Sequence, residues 1–160
     1  MSEDTLDKLQ EICAKINNVL VTKRVINSEA MNDNQDINPQ EVEERYLRGY
    51  QAWLENNYSA AIADFSWLTL HCPLEPQFHL ALAGALQKQQ EFTLALGAYA
   101  CALLLETKDP QPVYQMAVCL HALGKGADAR EALQTVIEMS YMCPEYAPVA
   151  EKANLLLGKV

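Results

Sequence analysis

A period of 34 residues, sounded three times between Tyr46 and Pro144, leaves this chain few ways to fold. Gly49, Ala83 and Ala117 are all small and stand one period apart. Twelve residues beyond each come Ala61, Ala95 and Ala129, and four beyond those come Phe65, Tyr99 and Leu133. Small residues let two helices touch closely, and large apolar ones fill the space beside the contact. Tyr58 and Phe92 share a further position, broken in the third copy by Gly126.

This order within this period is that of the tetratricopeptide repeat (TPR): a small residue on helix A, alanine on helix B, then an aromatic on helix B. The predicted fold class is therefore all-α, a TPR helical array of three repeats over residues 39–143. A last helix near 145–158, within a capping segment 144–160, carries Val149, Ala153, Leu156 and Leu157 and would cover the open end of the array. The prolines agree, because Pro39, Pro73, Pro76, Pro110, Pro112, Pro144 and Pro148 all lie in or just before expected first turns. Asn38, Pro39 and Glu41 read as N-cap, first helical residue and capping-box partner, and Asp109-Pro110 repeats the cap-then-proline order. Gly124 and Gly126 mark the turn inside the third repeat.

Ahead of the repeats, residues 1–26 contain an amphipathic helix. Leu6, Leu9, Cys13, Ile16 and Leu20 fall at spacings of 3, 4, 3 and 4, the seam spacing of paired helices. Two readings stand: the helix folds back on its own repeats, or those five residues form a homodimer interface. Residues 27–38 are polar and without period, a linker. Asn32, Asn34, Asp36 and Glu43 fit a calcium-loop register, but Ile37 stands where the loop needs glycine and Pro39 interrupts it.

A net charge of −9 argues against a nucleic-acid partner, since neutralising phosphates takes a Lys/Arg surface. The five cysteines are odd in number and contain no CxxC, as expected of reduced thiols in a cytoplasm. No signal peptide or long apolar run is present, so neither secretion by a cleaved leader nor membrane insertion is expected. The sequence points to no catalytic residue, cofactor or metal. His71-Cys72 lacks a second ligand pair, His79 and His121 stand 42 residues apart, and Gly124-Lys125-Gly126 is a turn rather than a phosphate cradle.

Function must then lie on the surface that stacked helix pairs make. With the small residue counted as position 8, positions 2, 5, 9 and 12 of each A helix line the concave face. They are Glu43, Tyr46, Tyr50 and Trp53; then Gln77, Leu80, Gly84 and Gln87; then Gln111, Tyr114, Val118 and His121. An aromatic stripe at helical spacing is ordinarily core. Here the repeat frame assigns the core to Ala61, Phe65, Leu68 and their equivalents, which leaves the stripe for a groove. Clamps for acidic carboxyl-terminal tails built on this repeat place cations and asparagines where this chain has Tyr46, Tyr50, Ala81, Gln111 and Gln115, so that ligand is excluded.

The stretches YLRGYQAWLENNYSAAIADFSWLTLHCP, LAGALQKQQEFTLALGAYACAL and DPQPVYQMAVCLHALGKGADAREALQTVIEMSY resemble the class II chaperones of bacterial type III secretion systems, the SycD/LcrH-like proteins. The resemblance covers about residues 40–142; the linker before Asn38 is longer than the family's and the N-terminal helix differs. It implies an acidic, cytoplasmic, non-enzymatic three-repeat protein that dimerises through its N-terminal region when cargo is absent. It also implies that an extended segment of a hydrophobic translocator or effector is held in the concave groove. The groove residues expected are Tyr46, Tyr50, Trp53 and Tyr114 on both grounds, Leu80, Gln87, Val118 and His121 from the repeat frame, and Tyr58 from the resemblance. The competing expectation is a repeat scaffold joining components of a secretion apparatus.

Overall fold

The computed structural model describes residues 38–106 and 108–160. The seam Leu6, Leu9, Cys13, Ile16 and Leu20, the linker up to residue 37 and the calcium register through Asp36 all lie outside those residues. Among the described residues seven α-helices follow one another: α1 (Pro39–Leu54), α2 (Tyr58–His71), α3 (Pro76–Lys88), α4 (Phe92–Leu105), α5 (Gln111–Ala122), α6 (Gly126–Tyr141) and α7 (Ala147–Leu157). A 3-10 turn, Pro144–Tyr146, leads into the last. Helices α1 to α6 form three A–B pairs, and contacts run chiefly from each helix to the next in the chain. That is the pattern of a stacked array, in which no pair buries its apolar face alone.

The repeated rows occupy the expected places. Gly49 is buried, and Ala83, Ala117, Ala61, Ala95 and Ala129 have no exposed surface. Phe65, Tyr99 and Leu133 fill the spaces beside them at 1%, 5% and 0% exposure. Helix α4 is apolar on every side, and every residue from Ala95 to Leu103 is buried, because it is flanked by both neighbouring pairs. One core cluster fills repeats two and three and reaches Val149 and Ala153 of α7. A second centres on Phe65, Leu68 and Phe78, and half-buried Ile62 and Leu82 join the two.

The turn inside each pair repeats as faithfully as the core does. Asn56, Gln90 and Gly124 have φ of 61°, 61° and 77°, each one residue past its helix C-cap. Asn57, Glu91 and Lys125 donate their backbone N–H to Ala52, Leu86 and Leu120 at 2.8, 2.9 and 2.9 Å. Asn56, Gln90 and Gly124 donate to Trp53, Gln87 and His121 at 3.1, 3.0 and 3.0 Å. This double closure is the Schellman motif, and only the third copy uses the residue best suited to a positive φ.

Helix starts are partly as expected. Asn38 Oδ1 accepts from Gln40 N at 3.0 Å, but Glu41 does not return the bond and pairs with Arg45 one turn on, at 3.4 Å. The capping box is therefore absent, since the carboxylate finds a cation on its own helix face. Asp109 Oδ1 accepts from Gln111 N at 2.9 Å, capping α5.

One tie between α1 and α2 carries charge into the interior. Asp64, 6% exposed, takes a two-pronged hydrogen bond from Arg48, at 2.9 Å from Nε and 2.6 Å from Nη2. Arg45 stands 3.7 Å away, with its guanidinium 4.3 Å above the Trp67 ring. A buried carboxylate without such partners would be strongly disfavoured.

Candidate functional site

Along helix α1 the aromatic rings form a continuous run. Tyr46 and Tyr50 have ring centroids 5.9 Å apart, Tyr50 and Trp53 6.1 Å, and Trp53 and Tyr58, at the start of α2, 6.4 Å. These are separations at which tilted rings attract beyond simple area burial. The run does not face one way. Tyr46 turns inward, with its ring 5.6 Å from Phe78 and 6.2 Å from Phe65, and so wedges the run onto the core. Tyr50 is 47% exposed, an aromatic surface that an isolated fold would gain by covering.

Two adjoining hollows open beside this run. The first, about 160 Å³, is walled by Tyr50, Trp53, Phe65, Leu80, Ala81 and Gly84. Its lining is mainly apolar, and it is of a size for one large side chain. The second, about 500 Å³, is lined by Gln87, Lys88, Gln90, Gln115 and Tyr99 together with Phe92, and it shares Trp53 and Gly84 with the first. The two thus form one groove with an apolar end and an amide-rich end, bordered along one side by α3.

Gly84 marks where the two hollows meet. A Cβ there would meet nothing within 4 Å, so internal packing does not require glycine, and the α3 backbone is bare at that point. The amide-rich end is ordered by a hydrogen-bond chain. The Tyr99 hydroxyl donates to Gln87 Oε1 at 2.8 Å, and Gln87 Nε2 donates to Gln115 Oε1 at 3.2 Å. Burial pushes the Tyr99 phenol well above its ordinary value, with a smaller contribution from Cys119, so the proton stays on oxygen.

Of the residues expected in the groove, Tyr50, Trp53 and Leu80 line the apolar hollow, and Trp53 and Gln87 line the polar one. Tyr46, Tyr58, Tyr114, Val118 and His121 line neither hollow. Tyr46 is held in the core contacts above, Tyr58 hydrogen-bonds Asn56 Oδ1 at 2.9 Å, and Tyr114 packs on the main core cluster. Val118 is half-buried, and His121 is exposed in the last turn of α5.

The repeat frame placed Tyr99 in the core, where its ring lies, but did not anticipate that its hydroxyl reaches the groove. A sequence signal existed: a phenol stands where the other repeats have Phe65 and Leu133. Lys88 and Gln90 carried no such signal, because they stand at the end of α3 and in the turn after it; Phe92, which opens α4, is the repeat equivalent of Tyr58. Cys72, Cys119 and Cys143 are free thiols, and burial pushes Cys119 up to about 11, far from reactive thiolate character.

No protein-family model matches the chain. Individual proteins do. Low calcium response locus protein H of Yersinia pseudotuberculosis is 22% identical over 125 residues, covering 78% of this chain and 74% of that protein. The chaperone protein SicA of Salmonella typhimurium is 27% identical over 93 residues, 58% of this chain and 56% of its own. The type III secretion chaperone SycD of Yersinia enterocolitica, solved with a peptide of the translocator YopD, superposes with a TM-score of 0.72 at 22% identity, covering 78% of this chain and 95% of that one.

The chain is thus similar in sequence to these chaperones and shares the fold of type III secretion chaperones. In its groove an aromatic wall and an amide-bearing floor lie side by side. Among the described residues no helix is long and apolar enough to cross a membrane, and no cluster of three or more His, Cys, Asp or Glu side chains could hold a metal.

Proposed function

We propose that this chain is a bacterial cytoplasmic type III secretion chaperone. Its groove holds an extended segment of a hydrophobic translocator or membrane-active effector and keeps that cargo soluble and competent for export. The observation that carries the reading is the wall of exposed Tyr50 and half-buried Trp53 over an apolar hollow of about 160 Å³, continuous with a second hollow of about 500 Å³. An apolar pocket for an anchor beside polar groups that reject wrong partners is how short segments are recognised. SycD, a protein of the same fold, was crystallised with a peptide of the translocator YopD. The binding needs no nucleotide chemistry, because burial and hydrogen bonding supply the affinity for an extended segment.

Co-expression tests the reading. Candidate cargo should remain soluble with the wild-type chain and precipitate with a Tyr50→Ala, Trp53→Ala variant of unchanged helicity. Each truncation of a groove-centre ring removes about 2–4 kcal/mol of binding. A scaffold joining folded components would leave cargo solubility unchanged in both.

We further propose self-association through Leu6, Leu9, Cys13, Ile16 and Leu20 when cargo is absent. Ile16→Asp should convert a dimer to monomer in sedimentation while the repeats keep their melting temperature. A helix folded back on its own repeats would lose stability without changing mass.

A further inference from the structure

The hydrogen-bond chain in the polar half of the groove has a direction. Tyr99 is 5% exposed, and among the described residues its hydroxyl has one hydrogen-bond partner, Gln87. A buried phenol must place its hydrogen on an acceptor, so the carbonyl end of the Gln87 amide faces Tyr99. The Gln87 NH2 then points the other way and requires an acceptor on Gln115, which turns the Gln115 carbonyl towards it. What remains is the Gln115 amide nitrogen. It has no acceptor among the described residues, and Gln115 lines the groove.

A second observation concerns what can come near. Gly84 lines both hollows and leaves the α3 backbone bare between them. Glycine inside a helix is unfavourable relative to alanine, and here packing supplies no reason for it. A bare helix surface beside a row of amides suits the close passage of another main chain. An extended segment carries backbone carbonyls with no partners of its own, and each must find a donor when it leaves water.

Resting on the groove reading above, we infer that Gln115 donates its side-chain N–H to a main-chain carbonyl of the bound segment where it crosses Gly84. Tyr99 and Gln87 act as positioning residues that fix which face of the Gln115 amide is offered. This gives the groove two modes of recognition. The apolar hollow selects one bulky side chain, whereas the Gln115 donor reads the backbone and fixes the register of the segment without regard to sequence.

The test uses the full chain and a peptide taken from a random library selected on wild-type protein and counter-selected on Trp53→Ala. Gln115→Leu should weaken that peptide about three- to tenfold, the worth of one neutral hydrogen bond. Tyr99→Phe should weaken it by less, because Gln115 keeps its donor but loses its fixed orientation.

An ester walk along the peptide supplies the readout that a structural role would not move. An ester weakens the carbonyl of the preceding residue as an acceptor, so one position should lose affinity in wild type and lose nothing further in Gln115→Leu. Equal ester sensitivity in both proteins, or no loss in Gln115→Leu, would overturn the Gln115 inference while leaving the groove standing. Coupling of Gln115 to a peptide side chain instead of an ester position would overturn it equally. Failure to obtain any peptide that depends on Trp53 would overturn the groove reading itself.

Discussion

Gly49 and Phe65 are in contact so close that a methyl group cannot be inserted between them. A Cβ on Gly49 would stand 2.7 Å from Phe65 Cε1 and 3.2 Å from the Asp64 Cβ. Phe65 is 1% exposed and sits against Tyr46, so its ring has little room to retreat. Gly49→Ala should therefore destabilise the fold by about 1–3 kcal/mol despite alanine's better helix propensity. Phe65→Leu in the same chain should recover part of the loss. Chemical denaturation of the two variants measures both effects, and an unchanged midpoint for Gly49→Ala would mean that the α1–α2 contact yields freely.

The three Schellman turns offer a paired comparison. Gln90 adopts a left-handed conformation that costs a non-glycine residue about 1–2 kcal/mol, whereas Gly124 adopts its own at little cost. Gln90→Gly should raise stability by up to about 1 kcal/mol, and Gly124→Ala should lower it by a similar amount. Opposite shifts in melting temperature are the expected result. Shifts of the same sign would show that side-chain contacts at these turns outweigh the backbone term.

Stability should weaken on mild acidification through His79. Its Nε2–H donates to the Pro73 carbonyl at 2.8 Å, and burial holds the imidazole below its ordinary value, an effect the hydrogen bond offsets only in part. The unfolded chain takes up the proton first, near about pH 6.5. Above that value the group contributes nothing to the pH dependence; below it stability falls until the native imidazole also titrates. The melting temperature of wild type should thus drop more between about pH 7.5 and 5.5 than that of His79→Gln, whose amide can keep the bond to Pro73. Parallel curves would assign the acid sensitivity to other groups.

Gly84→Ala separates folding from binding. No atom lies within 4 Å of the added methyl group, so the variant should melt higher, by about 0.5–1 kcal/mol in stability. The same methyl group projects into the floor shared by the two hollows and should weaken a groove-bound peptide. Titration calorimetry beside a thermal melt reads both. A variant that is both more stable and equally tight would show that the bound segment keeps clear of α3.

Much of this architecture was written in the sequence at one fixed offset. Residues such as Gly49, Ala61 and Phe65 meet because consecutive helices of a repeat always present the same positions to each other. Spacing alone therefore locates the core and the helix limits. It also locates the concave row that supplies Tyr50, Trp53, Leu80 and Gln87.

What spacing could not tell is how residues from different repeats, or from a helix and a turn, combine. Tyr46 and Tyr50 share one side of a helical wheel, yet one packs on Phe78 and the other is 47% exposed beside the apolar hollow that α3 helps to wall. Asp64 reads as an ordinary surface acid until Arg48 is found folded over it. The Tyr99–Gln87–Gln115 chain joins side chains from three helices, α4, α3 and α5. Repeat periodicity encodes which faces touch, since that is a property of each helix pair alone. The direction of a hydrogen bond and the shape of a hollow depend on the angles between pairs, and these only the packed tertiary structure sets.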